Sequence, residues 1–293
     1  MDSTADLGEP LILVTGATGN VGGQLIAQLC AAGHPARALV RNPEKADDLR
    51  GYDCEVAVGD YGDPSSLDEA MCGIESIFLL TPAGPNQVAQ ERAVIDAGVR
   101  AGAARVVKQA VLGFDAGIGR LGSSHAANLE HLRASGVPHT VLAPNSFMQN
   151  LLGSAATVQQ QSMLALPGGE AAVSHVDARD VAAVAAHVLT TEGHEGATYE
   201  ITGPEALTYA EVAAEISELL GREITYVDAP PAQARAAMVG AGMPAWLADA
   251  LGEAMAAYRQ GVGAKVTDEV KRATGHPARP LREFLAHHRG AFA

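Results

Sequence analysis

Gly16, Gly19 and Gly22 stand three residues apart, directly behind the apolar run Leu11-Ile12-Leu13-Val14-Thr15 and ahead of an amphipathic stretch, Gln24 to Ala32. Glycines at that spacing between a strand and a helix serve anion binding. One lets the chain turn sharply off the strand. The next removes a Cβ where a pyrophosphate must approach the backbone. The last lets the helix pack close, with its free N–H groups and dipole toward the anion. Gly16, Thr18, Gly19, Asn20 and Val21 are therefore the candidate contacts of a dinucleotide diphosphate.

Other chemistry-bearing residues follow strand-like runs. The second run ends Leu39-Val40-Arg41-Asn42. An acidic residue there would bond a ribose 2′-hydroxyl, whereas an arginine suits a 2′-phosphate. Arg41, with Lys45 a turn later, points to NADP rather than NAD; the alternative is a solvated arginine at a helix start. Behind the third run, Asp60 is placed to accept from an adenine amino group and Tyr61 to stack on the ring, while Asp63-Pro64 opens the next helix. The fourth run ends Leu80-Thr81-Pro82, which puts Thr81 and Pro82 against the nicotinamide ribose and diphosphate.

One expected pair is absent. The glycine spacing resembles that of short-chain dehydrogenases, and the resemblance implies a tyrosine that protonates the carbonyl, its pKa lowered by a lysine four residues on. The helix that should carry them reads Ser123-Ser124-His125-Ala126-Ala127-Asn128-Leu129-Glu130-His131-Leu132, and the strand before it, Lys108-Gln109-Ala110-Val111-Leu112, lacks the usual serine. His125 is the nearest ionisable replacement, and its ordinary pKa suits proton donation near neutrality. The alternative is a helix-start histidine bonded to backbone or water. His131, Lys108 and His175 read first as packing or surface residues.

The elements that must position these groups alternate regularly. Strand-like runs lie at Leu11–Thr15, Ala36–Arg41, Glu55–Val58, Ser76–Leu80, Arg105–Leu112 and His139–Ala143, with helical runs between them, including Gln87–Ala101 and Ser124–Ala134. Such alternation predicts an α/β fold: a Rossmann-type doubly wound parallel sheet, with ligands beyond the carboxyl ends of its strands. The pattern then changes. Short strands at Met163–Leu166 and Ala172–His175 precede a helix at Asp177–Thr190 and a last buried strand at Thr198–Ile201. From Thr208 the chain reads as mostly helical. The expected organisation is a dinucleotide domain over residues 1–143, completed by 177–202, and a smaller C-terminal lobe over 144–176 and 203–293 that covers the substrate.

With 293 residues, 47% of them apolar, the chain can bury a large core without staples. Three cysteines, Cys30, Cys54 and Cys72, carry no metal spacing and no disulfide framework, with Cys30 in the apolar stripe of the first helix. A net charge of −14 argues against a nucleic-acid partner. No apolar run reaches the roughly 18 residues of a membrane span, and the acidic start, Met1 to Asp6, is no signal peptide. A cytoplasmic protein acting on a small molecule is expected, with a homodimer as the candidate assembly.

Thr15-Gly16-Ala17-Thr18-Gly19-Asn20-Val21-Gly22 resembles the fingerprint of extended and atypical short-chain dehydrogenases/reductases. Gly136-Val137-Pro138-His139-Thr140-Val141-Leu142-Ala143-Pro144-Asn145-Ser146-Phe147-Met148-Gln149-Asn150, Val176-Asp177-Ala178-Arg179-Asp180-Val181-Ala182, and Thr198-Tyr199-Glu200-Ile201-Thr202-Gly203-Pro204 narrow this to the NmrA-like branch. That branch includes NAD(P)H-dependent quinone reductases, azoreductase-like proteins and redox-sensing regulators. The resemblance implies that Pro144, Asn145, Ser146 and Phe147 flank the nicotinamide, with Phe147, Met148 and Asn150 toward substrate. Asp180 reads as a helix-start cap, and Met243, Pro244 and Trp246 as lining of the pocket. The expected activity is hydride transfer from NADPH to a quinone or other conjugated carbonyl. The alternatives are a ketoreductase acting on an aromatic ketone natural product, or a non-enzymatic NADP(H) redox sensor.

Overall fold

The structure is a computed structural model and describes residues 10–293; the acidic stretch Met1 to Asp6 lies outside the described residues. The first half runs β1 (Ile12–Val14), α1 (Asn20–Ala31), β2 (Ala36–Val40), β3 (Glu55–Val58), α2 (Pro64–Ala70), β4 (Ser76–Leu79), α3 (Gln87–Ala101), β5 (Arg105–Gln109), α4 (Gly119–Ser135) and β6 (His139–Pro144). The second continues with α5 (Ala155–Gln161), β7 (Met163–Leu166), β8 (Ala172–Val173), α6 (Ala178–Thr190), β9 (Thr198–Ile201), β10 (Leu207–Thr208), α7 (Tyr209–Leu220) and β11 (Thr225–Asp228). It closes with α8 (Pro231–Gly240), α9 (Ala245–Tyr258), α10 (Glu269–Thr274), α11 (Leu281–His287) and α12 (Arg289–Phe292).

Seven strands form one sheet in the order β3-β2-β1-β4-β5-β6-β9, every pair parallel. Successive strand side chains point to opposite faces. Ile12, Val14, Phe78 and Val107 therefore pack under α1 and α6, while Leu13, Leu79 and Val106 pack on the other face with Val94 of α3 and Leu129 of α4. The strand order reverses between β1 and β4, which opens the crevice where such folds take ligands. Thr15 pins that crevice. Its hydroxyl lies 2.9 Å from the Leu80 carbonyl and accepts from the Leu80 N–H at 2.8 Å.

A third core belongs to the C-terminal lobe. It gathers Met148, Leu151, Val158, Leu164, Val173, Tyr209, Ile216 and Phe284, between the antiparallel pair β8/β10 and the parallel pair β7/β11. The chain does not stay in this lobe. Val270 and Ala273 of α10 return to the core beneath α6.

Two local expectations are corrected. The helix carrying His125 starts at Gly119, not Ser124, so His125 is mid-helix rather than at a helix start. Its start is capped from afar: Glu253 of α9 accepts from the Arg120 N–H at 2.7 Å and from the Arg120 guanidinium at 2.6 Å. The cap of α6 is Asp177, which accepts from the Arg179 N–H at 2.9 Å. Asp180 instead binds the backbone N–H of Arg279 at 2.7 Å and the Arg279 guanidinium. It ties the incoming C-terminal chain to α6.

Candidate active site

The loop behind β1 has the shape of a phosphate cradle. Gly16 turns off the strand at φ +62°, where a Cβ would stand 2.8 Å from the Leu80 carbonyl oxygen. A Cβ on Gly22 would collide with the Gly16 carbonyl, so α1 lies against the loop. A Cβ on Gly19 would meet only that same oxygen, at 3.2 Å, and otherwise faces open space. Helix α1 begins behind Gly19 with no side-chain cap and no acidic residue in its first turn. Its first N–H groups are thus left for an anion. Thr18, Gly19 and Asn20 are exposed and border a cavity of about 350 Å³ shared with Gln149, Arg179 and His288. Val21 is buried in the core, which leaves its backbone alone for a ligand.

Arg41 and Tyr61 converge beside this cradle. The Arg41 side chain is exposed and makes no hydrogen bond or ion pair among the described residues. Tyr61 is half-buried. Burial raises its phenol, and contacts with Gly16 and Thr15 and the charge of Arg41 pull it partly back. Asp60 is exposed, with one oxygen accepting from the Gly62 N–H at 2.8 Å. A cradle open at Gly19, a helix start without a side-chain cap and a guanidinium with no hydrogen bond or ion pair among the described residues fit a dinucleotide carrying a 2′-phosphate.

At the other end, Pro82 is exposed, and Thr81 is buried with its hydroxyl 3.4 Å from Glu91 Oε1. The loop after β6 is anchored at Pro144, whose carbonyl accepts from the Leu112 N–H at 2.8 Å. Asn145, expected to flank the nicotinamide, has its side chain engaged within the fold. Its amide donates to Ser174 Oγ and to the Gly263 carbonyl, both at 2.8 Å, and its Oδ1 accepts from the Ser146 N–H at 2.8 Å. With both amide hydrogens spent, it pins the loop. Met148, expected toward substrate, is buried in the core of the lobe. Ser146 and Phe147 remain half-buried at the gap between the two parts, and Asn150 is exposed. Trp246 is half-buried under the Arg120 guanidinium, 5.7 Å from its ring centre, and Pro244 is exposed at the start of α9.

His125 is not at this surface. It is 4% exposed and belongs to a buried polar knot between β5, α3 and α4. Lys108 Nζ lies 2.6 Å from Glu91 Oε2 and 3.2 Å from His125 Nδ1, and both Lys108 and Glu91 are fully buried. Asn128 donates to Glu91 at 2.7 Å, and Gln87 donates to it at 3.3 Å. Burial lowers the Lys108 ammonium, and Glu91 pulls it back up. Burial, then the Lys108 charge, holds His125 well below its ordinary value. A buried imidazole kept neutral at pH 7 is no charged proton donor. This corrects the expectation that His125 is the acid. Sequence reading missed the knot. Its signal was Gln87/Glu91 and His125/Asn128 at helical spacing, but nothing local showed that the two pairs meet Lys108.

The fold and the open donors define a Rossmann-type dinucleotide-binding protein of the short-chain dehydrogenase/reductase kind, with a covering lobe. The chain belongs to the NmrA-like family, whose description matches residues 9–281. It is 40% identical to an NAD(P)H azoreductase from Xenophilus azovorans over 96% of this chain and 99% of that protein. It is 39% identical to a (4-alkanoyl-5-oxo-2,5-dihydrofuran-3-yl)methyl phosphate reductase from Streptomyces griseus, over 97% and 99%. An NADPH-dependent quinone oxidoreductase from Escherichia coli, solved with NADPH, superposes with a TM-score of 0.87 at 31% identity, over 95% and 99% of the two chains.

Proposed function

We propose that this protein is an NADPH-dependent reductase of electron-poor conjugated acceptors: quinones, azo dyes and unsaturated carbonyl compounds. NADPH, when bound, supplies a hydride. The chain's own residues hold and orient the reactants. Gly19 and the start of α1 take the diphosphate, Arg41 the 2′-phosphate, and Tyr61 with Asp60 the adenine. Thr81 and the loop Pro144–Phe147 border the nicotinamide. Holding donor and acceptor in register supplies much of the rate.

The observation that carries this reading is an intact cradle beside a helix with neither tyrosine nor lysine, in a chain whose relatives are named for azo, quinone and unsaturated lactone acceptors. In all three classes the negative charge left by hydride addition spreads over a π system or an electronegative atom, so the demand for a strong acid is low. A localised alkoxide from an isolated ketone needs that acid. No helix among the described residues is long and apolar enough to cross a membrane, and action in the cytoplasm accords with three unpaired cysteines. The test is NADPH oxidation against a panel of quinones, azo dyes, unsaturated lactones and isolated ketones. Turnover with the first three classes and not the fourth is expected. Saturable NADPH binding with no turnover on any acceptor would overturn the proposal in favour of a sensor.

A further inference from the structure

The cavity beside the cradle has a second wall. Thr18, Gly19 and Asn20 border it on one side, and Gln149, Arg179 and His288 border it on the other. No carboxylate lines it, although the chain carries 34 acidic residues against 20 basic ones. The far wall is organised by one acid that stays out of the cavity. Asp177, at the start of α6, is fully buried. Its Oδ2 accepts from Arg179 Nε at 3.0 Å and Nη2 at 2.6 Å, and its Oδ1 from the Arg179 N–H at 2.9 Å and Gln149 Nε2 at 3.1 Å. The rigid guanidinium is thus gripped along one edge. Nη1, on the other edge, makes no hydrogen bond or ion pair among the described residues. Glu283 stands 3.9 Å from Nη2, and it also pairs with Arg279 at 3.3 Å. The backbone is fixed too. Gln28 of α1 donates to the Arg179 carbonyl at 3.1 Å, which holds the start of α6 against the helix that opens at Gly19. Gln149 Oε1 accepts from the Ala178 N–H at 3.2 Å, and one hydrogen of its amide stays unused. The His288 ring rests on Phe284, 4.4 Å between centres.

We propose that Arg179 binds the diphosphate of the dinucleotide from the side opposite the glycine loop, with Gln149 and His288 of the lobe completing the wall, so that the cofactor itself fastens the lobe to the dinucleotide domain. This deepens the reading above, on which it rests: the cradle takes a dinucleotide. The loop and the start of α1 offer N–H groups to one face of the diphosphate. The opposite face is left to solvent unless the far wall supplies donors. Arg179 lines the cavity, and its free end, Nη1, carries two of them, held in place by the grip of Asp177. Asp177 spends its charge on Arg179, so the wall attracts through directed hydrogen bonds more than through net charge. The diphosphate is common to NADPH and NADH, whereas the 2′-phosphate belongs to NADPH alone. Arg179 therefore sets the affinity for both dinucleotides, and Arg41 sets the choice between them.

The test is calorimetric binding of NADPH, NADH and adenosine 2′-monophosphate, which carries the 2′-phosphate without a diphosphate. Arg179→Lys keeps a cation for the buried Asp177 but gives up the fork. It should weaken NADPH and NADH about tenfold each, one charge-assisted hydrogen bond's share. Their ratio should stay unchanged, and adenosine 2′-monophosphate should bind as it does to the parent. His288→Glu leaves Asp177 and its hydrogen-bond partners in place, puts a carboxylate on the wall and should weaken the same two dinucleotides. Hydrogen exchange gives a second readout. NADPH should slow exchange over α11 and α12 in the parent, and adenosine 2′-monophosphate should not. Parent-like affinity for both dinucleotides in both variants would overturn the proposal. So would a loss confined to NADPH, which would put Arg179 at the 2′-phosphate, or an equal loss of adenosine 2′-monophosphate, which would show a general disturbance of the fold. A parent protein that binds neither dinucleotide would fail at the earlier step, the cradle reading itself.

Discussion

Two regions of this molecule are equally rich in polar side chains and have opposite fates. Beneath α3 and α4, Glu91, Lys108, His125, Asn128 and Gln87 spend their strongest groups on one another and see no solvent. Along the carboxyl edge of the sheet, the start of α1 carries no cap and Arg41 no partner among the described residues. A buried charge left alone costs several kcal/mol, so evolution closes such a cluster. A ligand site has to keep donors open. Unused donors at an edge, rather than charge as such, distinguish the binding surface from the interior.

The largest expected effect comes from opening the closed region. Lys108→Met strands the Glu91 carboxylate in the core and should destabilise the fold by about 3–5 kcal/mol, read by urea unfolding. Adding Glu91→Gln removes the stranded charge and should recover most of the loss. A single variant as stable as the parent would show that the knot is wetter than its geometry implies.

Closing the open region should spare the fold. Gly19→Val puts a side chain where the diphosphate approaches, while its Cβ meets only the Gly16 carbonyl, at 3.2 Å. NADPH affinity should fall about a hundredfold or more, near 3 kcal/mol, with little change in melting temperature. Parent-like affinity by calorimetry would place the cradle elsewhere. Arg41→Asp should cost NADPH about 2–3 kcal/mol by removing a charge-assisted contact and adding repulsion, and leave NADH nearly unaffected. Equal affinities of the parent for NADPH and NADH would break this prediction.

The smallest effect is acid sensitivity of the interior. Burial lowers His175 to about 4, and both its ring nitrogens lack a partner. The folded state therefore favours neutral imidazole, whereas the unfolded chain takes up a proton near pH 6.5. The stability this confers is complete above about pH 6.5 and declines as pH falls toward 4. From His175 the loss is about 2 kcal/mol at pH 5, and His125, lowered for the same reason, adds in the same direction. His175→Phe keeps the edge contact with Tyr209 and should flatten the profile. A stability curve already flat from pH 7 to 5 in the parent would contradict it.

The sequence by itself determined what is local and periodic. The continuous apolar run Ile12–Val14 with glycines at 16, 19 and 22 dictates strand, turn and helix, because a buried parallel strand is apolar on both faces and the glycines let the chain turn and the helix lie against the loop. Arg41 was legible because its place at the end of β2 follows from the strand itself. Tertiary structure alone decided what depends on residues far apart in the chain. The start of α4 is fixed by Glu253, more than a hundred residues on, so the local run of glycines concealed it. His125 looked like an acid until Lys108 and Glu91 were brought beside it, since a pKa depends on burial and neighbouring charge rather than on residue type. Asn145 and Ser146 are chain neighbours, yet the Asn145 amide is spent on Ser174 and Gly263 while the Ser146 hydroxyl lies beside the exposed Asn150. The folded lobe directs them apart, because side-chain direction at a loop is set by which donors and acceptors the rest of the chain delivers to it.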